Sequence, residues 1–233
     1  LVVNGFIKQG SDFIKKLSGM FAFAIYNADN REITIARDGC GMKPIYYYIN
    51  GEEIAFSSGT RAFIDLSGFE KSFNEEILSA FLCYGHVPTS ETFFKGVYRL
   101  EPGNILRFKD GKAEKECFFE LEFKQSEKSE SELIEEIHNS VVNSIARHTE
   151  NVNFSTFLSS GVDSSYIASV AKPKICYTAG YSDQQYDESV YTKELASALG
   201  IENRVATEQR LCDIERSLAE SLDQIRQALE RNI

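Results

Sequence analysis

Phe157-Leu158-Ser159-Ser160-Gly161-Val162-Asp163-Ser164-Ser165 is the stretch that decides the fold. Asn151-Val152-Asn153-Phe154 leads into it as polar turn residues lead into a short buried strand. After it, Tyr166-Ile167-Ala168-Ser169-Val170-Ala171 has helical character and stops at Lys172-Pro173. A strand, a small-residue loop and a helix in that order build an anion cradle. The loop's backbone N–H groups and the positive end of the helix face the same point. Residues larger than Ser or Gly would keep a phosphate away from that backbone. Asp163 and Ser164 add a carboxylate for Mg²⁺ and a hydroxyl for a phosphate oxygen. The loop differs from a Walker loop, which ends in Gly-Lys-Ser/Thr. The plainer alternative is a Ser-rich turn without a ligand.

Outward from the loop, a strand at 174–179 and a helix at 188–199 continue an α/β domain with a parallel sheet. Asp187-Glu188 reads as the cap and acidic first turn of that helix. Upstream, a helix is expected over 131–148, with Leu133, Ile137, Val141 and Ile145 on one face. Residues 124–131 are polar and charged without apolar periodicity, and read as a linker. Before them the pattern is antiparallel: strands at 20–26, 32–36, 45–49, 53–57, 104–109 and 113–119. Asn50-Gly51 and Asp110-Gly111 are hairpin turns. Residues 1–16 read as a helix carrying Phe6, Ile7, Phe13 and Ile14 inward, and a second helix is expected over 74–84. From residue 207 the chain is Glu/Arg/Leu-rich. Leu211, Ile214, Leu218, Leu222, Ile225, Leu229 and Ile233 make one amphipathic helix, read either as packed on its own domain or as a short coiled-coil contact between chains.

Composition bounds the function. The 233 residues can hold one large or two small domains, and 42% are hydrophobic, enough to fill a core. No apolar run approaches the roughly 20 residues of a membrane span, and no signal-peptide pattern opens the chain. A net charge of −10 without a basic patch argues against nucleic acid as a partner. Cys40, Cys83, Cys117, Cys176 and Cys212 are scattered and never paired as C-x-x-C, which fits packed thiols in a reducing cytoplasm. His86, His138 and His148 lack ligand spacing, so no metal site is expected from them. Arg37, Asp38 and Lys43 form a charged group with a scaffold role, in which Asp38 pairs with Arg37 or Lys43 or caps a turn.

The Ser159–Ser164 loop resembles the Ser-Gly-Gly-x-Asp-Ser motif of the ATP pyrophosphatases, with Ser160 in place of the first glycine. If that position needs a left-handed backbone, Ser160 strains it by roughly 1–2 kcal/mol. If it needs only a small residue, Ser160 is harmless, and the intact remainder of the motif favours that case. A glycine there is expected to be neutral or mildly stabilising. Gly19-Met20-Phe21-Ala22-Phe23-Ala24, then Arg37-Asp38-Gly39-Cys40-Gly41-Met42-Lys43-Pro44-Ile45-Tyr46, then Phe56-Ser57-Ser58-Gly59-Thr60-Arg61 and Leu100-Glu101-Pro102-Gly103 are similar to the glutaminase domain of glutamine-dependent asparagine synthetases. Thr178-Ala179-Gly180-Tyr181 and Tyr186-Asp187-Glu188 resemble the synthetase half of that family. The resemblance covers about residues 1 to 208.

The resemblance implies an α+β, N-terminal-nucleophile-like glutaminase portion over 1–123, a linker at 124–131, the beginning of an α/β ATP pyrophosphatase domain over 132–208 and a divergent tail over 209–233. It implies a cytoplasmic enzyme acting on ATP, aspartate and glutamine with Mg²⁺. Ser159, Ser160, Gly161, Asp163 and Ser164 are the expected phosphate contacts, with Asp163 the metal's anchor through Mg-ATP. Leu158 and Ala179 are the expected walls of the adenosine site. Met20 stands at a position resembling one that lines the family's ammonia passage, while on its own it reads as core. The family's nucleophilic cysteine and glutamine-holding residues fall upstream of Leu1, and a second ATP-contacting segment falls downstream. The chain is therefore expected to be an incomplete copy without glutaminase activity, with a frameshift or join near 208 as one explanation of the tail. Three readings stay open: this synthetase, a relative such as a β-lactam synthetase, and a catalytically empty interaction protein dimerising through 211–233.

Overall fold

The two hairpin turns read from the sequence organise the first part of the chain, as the computed structural model, which describes residues 1–207, makes plain. Asp110 and Gly111 both adopt positive φ, 49° and 74°, the conformation that a tight two-residue turn requires. They join β6 (Asn104–Lys109) to β7 (Lys112–Cys117). With β1 (Ala22–Asn27) and β2 (Glu32–Arg37) these strands form an antiparallel sheet in the order β1-β2-β6-β7. Gly51-Glu52 joins β3 (Tyr46–Asn50) to β4 (Glu53–Ser57), one residue beyond the expected Asn50-Gly51 because Asn50 pairs with Glu53 as the end of β3. β5 (Val97–Arg99) adds on the other edge of β3, giving β4-β3-β5.

Both faces of β2 are covered, because its residues alternate between two cores. Ile35 joins Leu106, Ile45, Tyr47 and Leu100 in one cluster, whereas Ala36 joins Ile105 and Ile14 in another, with Phe6, Phe21 and Phe23 around them. Ile14 arrives on α2 (Ser11–Ile14), which follows α1 (Val2–Gln9). The single helix expected over 1–16 is thus two. Gly10 takes φ 59° and breaks it, and Ile7 points to solvent rather than inward. α3 (Glu75–Tyr84) ends at Gly85 in the left-handed conformation, the cap that lacks a Cβ penalty.

Arg37 and Asp38 fasten the connection from β2 to β3. Asp38 is buried and accepts from the backbone N–H of Phe21 (3.2 Å), Met42 (2.9 Å) and Lys43 (3.0 Å). Arg37, also buried, donates to the carbonyls of Lys43, Leu100 and Gly41 at 2.8, 2.6 and 2.6 Å. Of the roles expected for Asp38, the turn cap is the one observed. No ion pair joins it to Arg37 or Lys43 among the described residues: the carboxylate is taken up by backbone N–H groups, that of Lys43 among them, and the Arg37 guanidinium by carbonyls.

The chain divides into a first unit, Leu1–Lys124, and a second beginning at Gln125. The second unit opens on α4 (Glu130–Thr149), so Glu130 and Ser131, read as linker, are helical. The reason is a capping box: the Ser129 hydroxyl accepts from Glu132 N–H while the Glu132 carboxylate accepts from Ser129 N–H. On α4, Leu133, Val141 and Ile145 are half-buried, but Ile137 is exposed, contrary to the expected face. Next come β8 (Thr156–Phe157), α5 (Val162–Ala171), β9 (Ile175–Gly180), α6 (Ser189–Leu199) and β10 (Glu202–Thr207). The strands form a parallel sheet in the order β10-β9-β8. Leu158, Cys176, Ala168 of α5 and Ala196 of α6 make its core. Gly180 is required by β10, because a Cβ there would sit 2.7 Å from Val205 Cγ1. Among the described residues the architecture is mixed α/β, with antiparallel sheets in one unit and a parallel sheet in the other. No described helix is long and apolar enough to cross a membrane. The tail helix at 209–233, and with it Cys212, lies outside the described residues.

Candidate functional site

At the end of β8 the chain leaves the sheet through Leu158 and enters α5 at Val162, so residues 159–161 form the loop. Ser and Gly here leave room for hydroxyl bonds back onto the loop. Ser164 Oγ lies 2.7 Å from Ser159 Oγ and accepts from Ser159 N–H at 3.1 Å. Ser165 Oγ donates to the Gly161 carbonyl at 2.7 Å, and the Ser159 hydroxyl accepts from Gly161 N–H at 3.2 Å. Ser160 is absent from the described non-glycine residues at positive φ, which are Arg31, Asp110, Asn151 and Lys172. The position does not use a left-handed backbone, so Ser160 carries no strain of that kind. Gly161 likewise has an extended backbone, φ −70° and ψ 151°.

The Ser160 N–H already holds an anion. It donates at 2.9 Å to Glu188 Oε2 at the start of α6. The Ser160 N–H, and after it the Ser160 hydroxyl, hold the Glu188 carboxyl below its usual range. Of the pair expected to supply the cap and the acidic first turn, the Glu188 side chain makes no cap bond. Asp187 takes that work: its carboxylate accepts from Ser189 N–H (3.2 Å), the Ser189 hydroxyl (2.9 Å) and, more weakly, Tyr181 N–H (3.4 Å). These bonds, led by those from Ser189, hold the Asp187 carboxyl low as well. With Asp187 turned to its helix and to Tyr181, Glu188 is left to face the loop.

Beside the loop lies a cavity of about 490 Å³, lined by Leu158, Ser159, Thr178, Ala179, Tyr181, Tyr186 and Glu188. It opens at the carboxyl ends of β8 and β9, where ligands of open parallel sheets bind. Leu158 and Ala179, expected as walls, both line it. Ser160, Gly161, Asp163 and Ser164 continue from its rim along the loop and the first turn of α5. Asp163 is exposed there, and no hydrogen bond or ion pair engages it among the described residues. Tyr181, Tyr186 and Thr178 carried no role in the sequence reading. The usable signal was two tyrosines in a polar run between a strand and a helix. Met20 lies in the first unit, just before β1, with its side chain half exposed.

Among the described residues no group of three or more His, Cys, Asp and Glu side chains is placed to hold a metal directly. Of the four described cysteines, only Cys176 is a packed thiol. Cys40, Cys83 and Cys117 are exposed, contrary to the expectation for all five. They lie at a turn, on the outer side of a short helix and at the end of a strand, where scattered spacing gives no sign of burial.

Comparison with known proteins fits both units. Residues 1–119 match the family described as glutamine amidotransferase domain, and residues 136–230 the family described as asparagine synthase. The second match runs past residue 208, where the resemblance was expected to end, so the segment read as divergent carries family sequence. The chain is 33% identical over 194 residues to asparagine synthetase [glutamine-hydrolyzing] 1 of Bacillus subtilis, covering 81% of this chain and 30% of that protein. A provisionally named glutamine-hydrolysing asparagine synthetase of Mycobacterium tuberculosis is 29% identical over 85% of this chain and 32% of its own length. Amidase chry2 of Gibberella zeae is 25% identical over 87% of this chain and 33% of its own length. The chain spans about a third of the length of these curated relatives. The order of the two matches and the similarity along most of the chain place it with one family: it belongs to the glutamine-hydrolysing asparagine synthetases, a glutamine amidotransferase domain followed by asparagine synthase sequence.

Proposed function

We propose that this chain is part of a protein that amidates aspartate at the expense of ATP, with glutamine as the source of ammonia. In that reaction an oxygen of the aspartate side chain attacks the α-phosphorus of ATP and pyrophosphate leaves. Ammonia then attacks the acyl carbon of the β-aspartyl-AMP, and AMP leaves. A carboxylate oxygen is a very poor leaving group and AMP a good one, which is why the carboxylate is activated. The first unit is read as the glutaminase portion, with an N-terminal-nucleophile-like fold, and the second as part of an ATP pyrophosphatase domain.

The observation that carries the reading is the meeting of the Ser159–Ser164 loop with the cavity at the ends of β8 and β9. Ser159, Ser160, Gly161 and Ser164 are assigned to the phosphates, with the Ser160 N–H as the outward-facing donor and the small neighbours Ser159 and Gly161 letting the anion approach it. Leu158 and Ala179 are assigned to the adenosine, with Tyr181 and Tyr186 as further aromatic walls. The loop fits an anion, since Ser160 N–H holds a carboxylate now. Asp163, exposed on the first turn of α5, would anchor Mg²⁺ bound to the nucleotide. That ion would neutralise charge on the departing pyrophosphate. Met20 is assigned to the ammonia passage. Protein from a cytoplasmic setting and small-molecule partners, without nucleic acid, complete this reading.

The relatedness to amidase chry2 favours one second reading, in which the same activation serves an acceptor other than aspartate. Calorimetric titration with ATP, with and without Mg²⁺, on the chain and on Asp163→Ala tests the site. Weak, Mg²⁺-dependent binding that the substitution abolishes is the expected result. Equal binding by the variant would overturn the role of Asp163, and no binding by either protein would overturn the nucleotide reading.

A further inference from the structure

Among the described residues Glu188 is the one carboxylate that reaches the loop's backbone from another element, and its place there is the place of a ligand. Ser160 N–H, 2.9 Å from Glu188 Oε2, is the loop donor turned away from the loop's own hydroxyls. Its neighbours are engaged internally, Ser159 N–H by Ser164 and Gly161 N–H by Ser159. Glu188 also lines the cavity beside the loop, so its carboxylate stands between the loop and the space in which a nucleotide would lie. An anion entering the loop meets a negative charge on the donor it needs.

Building on the nucleotide reading above, we propose that Glu188 is a specificity residue. Its carboxylate occupies Ser160 N–H, excludes metal-free polyphosphate, and yields to polyphosphate that carries a divalent cation. Metal-free pyrophosphate has to displace Glu188 and then sit beside it, with two like charges in one small site. When the polyphosphate arrives with Mg²⁺, the released carboxylate faces a cation instead. Asp163 lies on the first turn of α5 and Glu188 at the start of α6, so carboxylates from two helices bracket the loop. The positive end of α5 and the Ser160 N–H favour any anion. Glu188 converts that general preference into one for the metal complex.

The alternative role for Glu188 is purely structural, a strut tying α6 to the loop, and the two roles give opposite results. Inorganic pyrophosphate is titrated into the full 233-residue chain and into Glu188→Gln, once with EDTA and once with Mg²⁺. Gln is isosteric and can still accept from Ser160 N–H, so the loop keeps its tie while the charge is removed. The expected result is that Glu188→Gln binds metal-free pyrophosphate roughly tenfold more tightly than the unmodified chain and gains less from Mg²⁺. Glu188→Ala, which removes charge and tie together, is expected to share the gain in EDTA. Weaker or unchanged metal-free binding by both variants, with Mg²⁺-dependent binding by the unmodified chain intact, would overturn this inference alone. No pyrophosphate binding by any of the three proteins under either condition would overturn the site reading and this inference with it.

Discussion

Asp38→Ala should be among the most destabilising single changes in the first unit, and its size follows from what it strands. The carboxylate accepts from three backbone N–H groups, those of Phe21, Met42 and Lys43. A hydrogen bond to a charged group contributes about 1.5–3 kcal/mol, and donors left without a partner in a buried place keep their desolvation cost. Because Ala opens space that water can enter, the three losses will not simply add, and about 3–5 kcal/mol is the expected total. For a unit of this size that corresponds to a fall in melting temperature of roughly 10–20 °C. Circular dichroism melts of the two proteins measure it. The pH dependence supplies a second check. Burial pushes the Asp38 carboxyl up from its ordinary value of 3.8, but the N–H groups of Lys43, Met42, Phe21 and Cys40 together outweigh it, and the net shift is downward. A carboxyl with a lowered folded-state pKa contributes stability that is present above its unfolded value and lost as pH falls through the folded one. The gap between the two proteins should therefore be constant near neutrality and narrow below about pH 4. A gap under about 1 kcal/mol at pH 7 would refute the assignment of Asp38 as the fastening of this connection.

Two further substitutions separate conformational demands from chemical ones. Ser160→Gly should be neutral or destabilising by up to about 1 kcal/mol, because Ser160 has no left-handed backbone to relieve and Gly adds chain entropy to the unfolded state. A clear gain in melting temperature would refute this. Gly103→Ala should cost more than about 2 kcal/mol, since φ is +67° there and a Cβ would lie 2.2 Å from the Phe119 carbonyl oxygen. A melt within a degree or two of the unmodified chain would show that the turn can move aside.

The parts of the fold that were legible in sequence are those fixed by local chemistry. Gly51 and Asp110-Gly111 announce their turns because a two-residue turn needs positive φ and few residues accept it, although Asn50 itself stays in β3. Strand β5 was not read: three residues, Val97–Arg99, are too short to alternate, and only pairing with β3 makes them a strand. Strand β10 was missed for a related reason. Glu202–Thr207 opens on three consecutive polar residues, Glu202, Asn203 and Arg204, so it shows no strand alternation and is held by its parallel register on β9, a non-local fact. Ile7 and Ile137 were placed inward because the 3.6-residue period was counted through them. The break at Gly10 changes the phase at the first, and α4 presents few contacts to cover the second. At the site, motif and spacing gave the loop and the two strand ends. They did not give Glu188 its direction, because which of two adjacent carboxylates caps the helix and which crosses to the loop depends on the distance between α6 and α5.

The loop also shows why a serine can stand where the related motif carries glycine. A glycine is indispensable where the backbone must turn left-handed, and here neither Ser160 nor Gly161 does so. Hydroxyls of Ser164 and Ser165 bind the carbonyls of Ser159 and Gly161 from the first turn of α5, which points those carbonyls toward the helix. With the carbonyls drawn to that side, the Ser160 N–H is free to face outward, and it meets Glu188. The donor that would serve a phosphate is thus oriented by side-chain hydroxyls rather than by backbone strain. Loss of a hydroxyl in this group should weaken anion binding without a large change in overall stability, because the bonds are solvent-accessible and each contributes little to folding. The same argument explains why one charged side chain can govern the site. A single outward donor can be satisfied by a single anion, and here that anion is the Glu188 carboxylate.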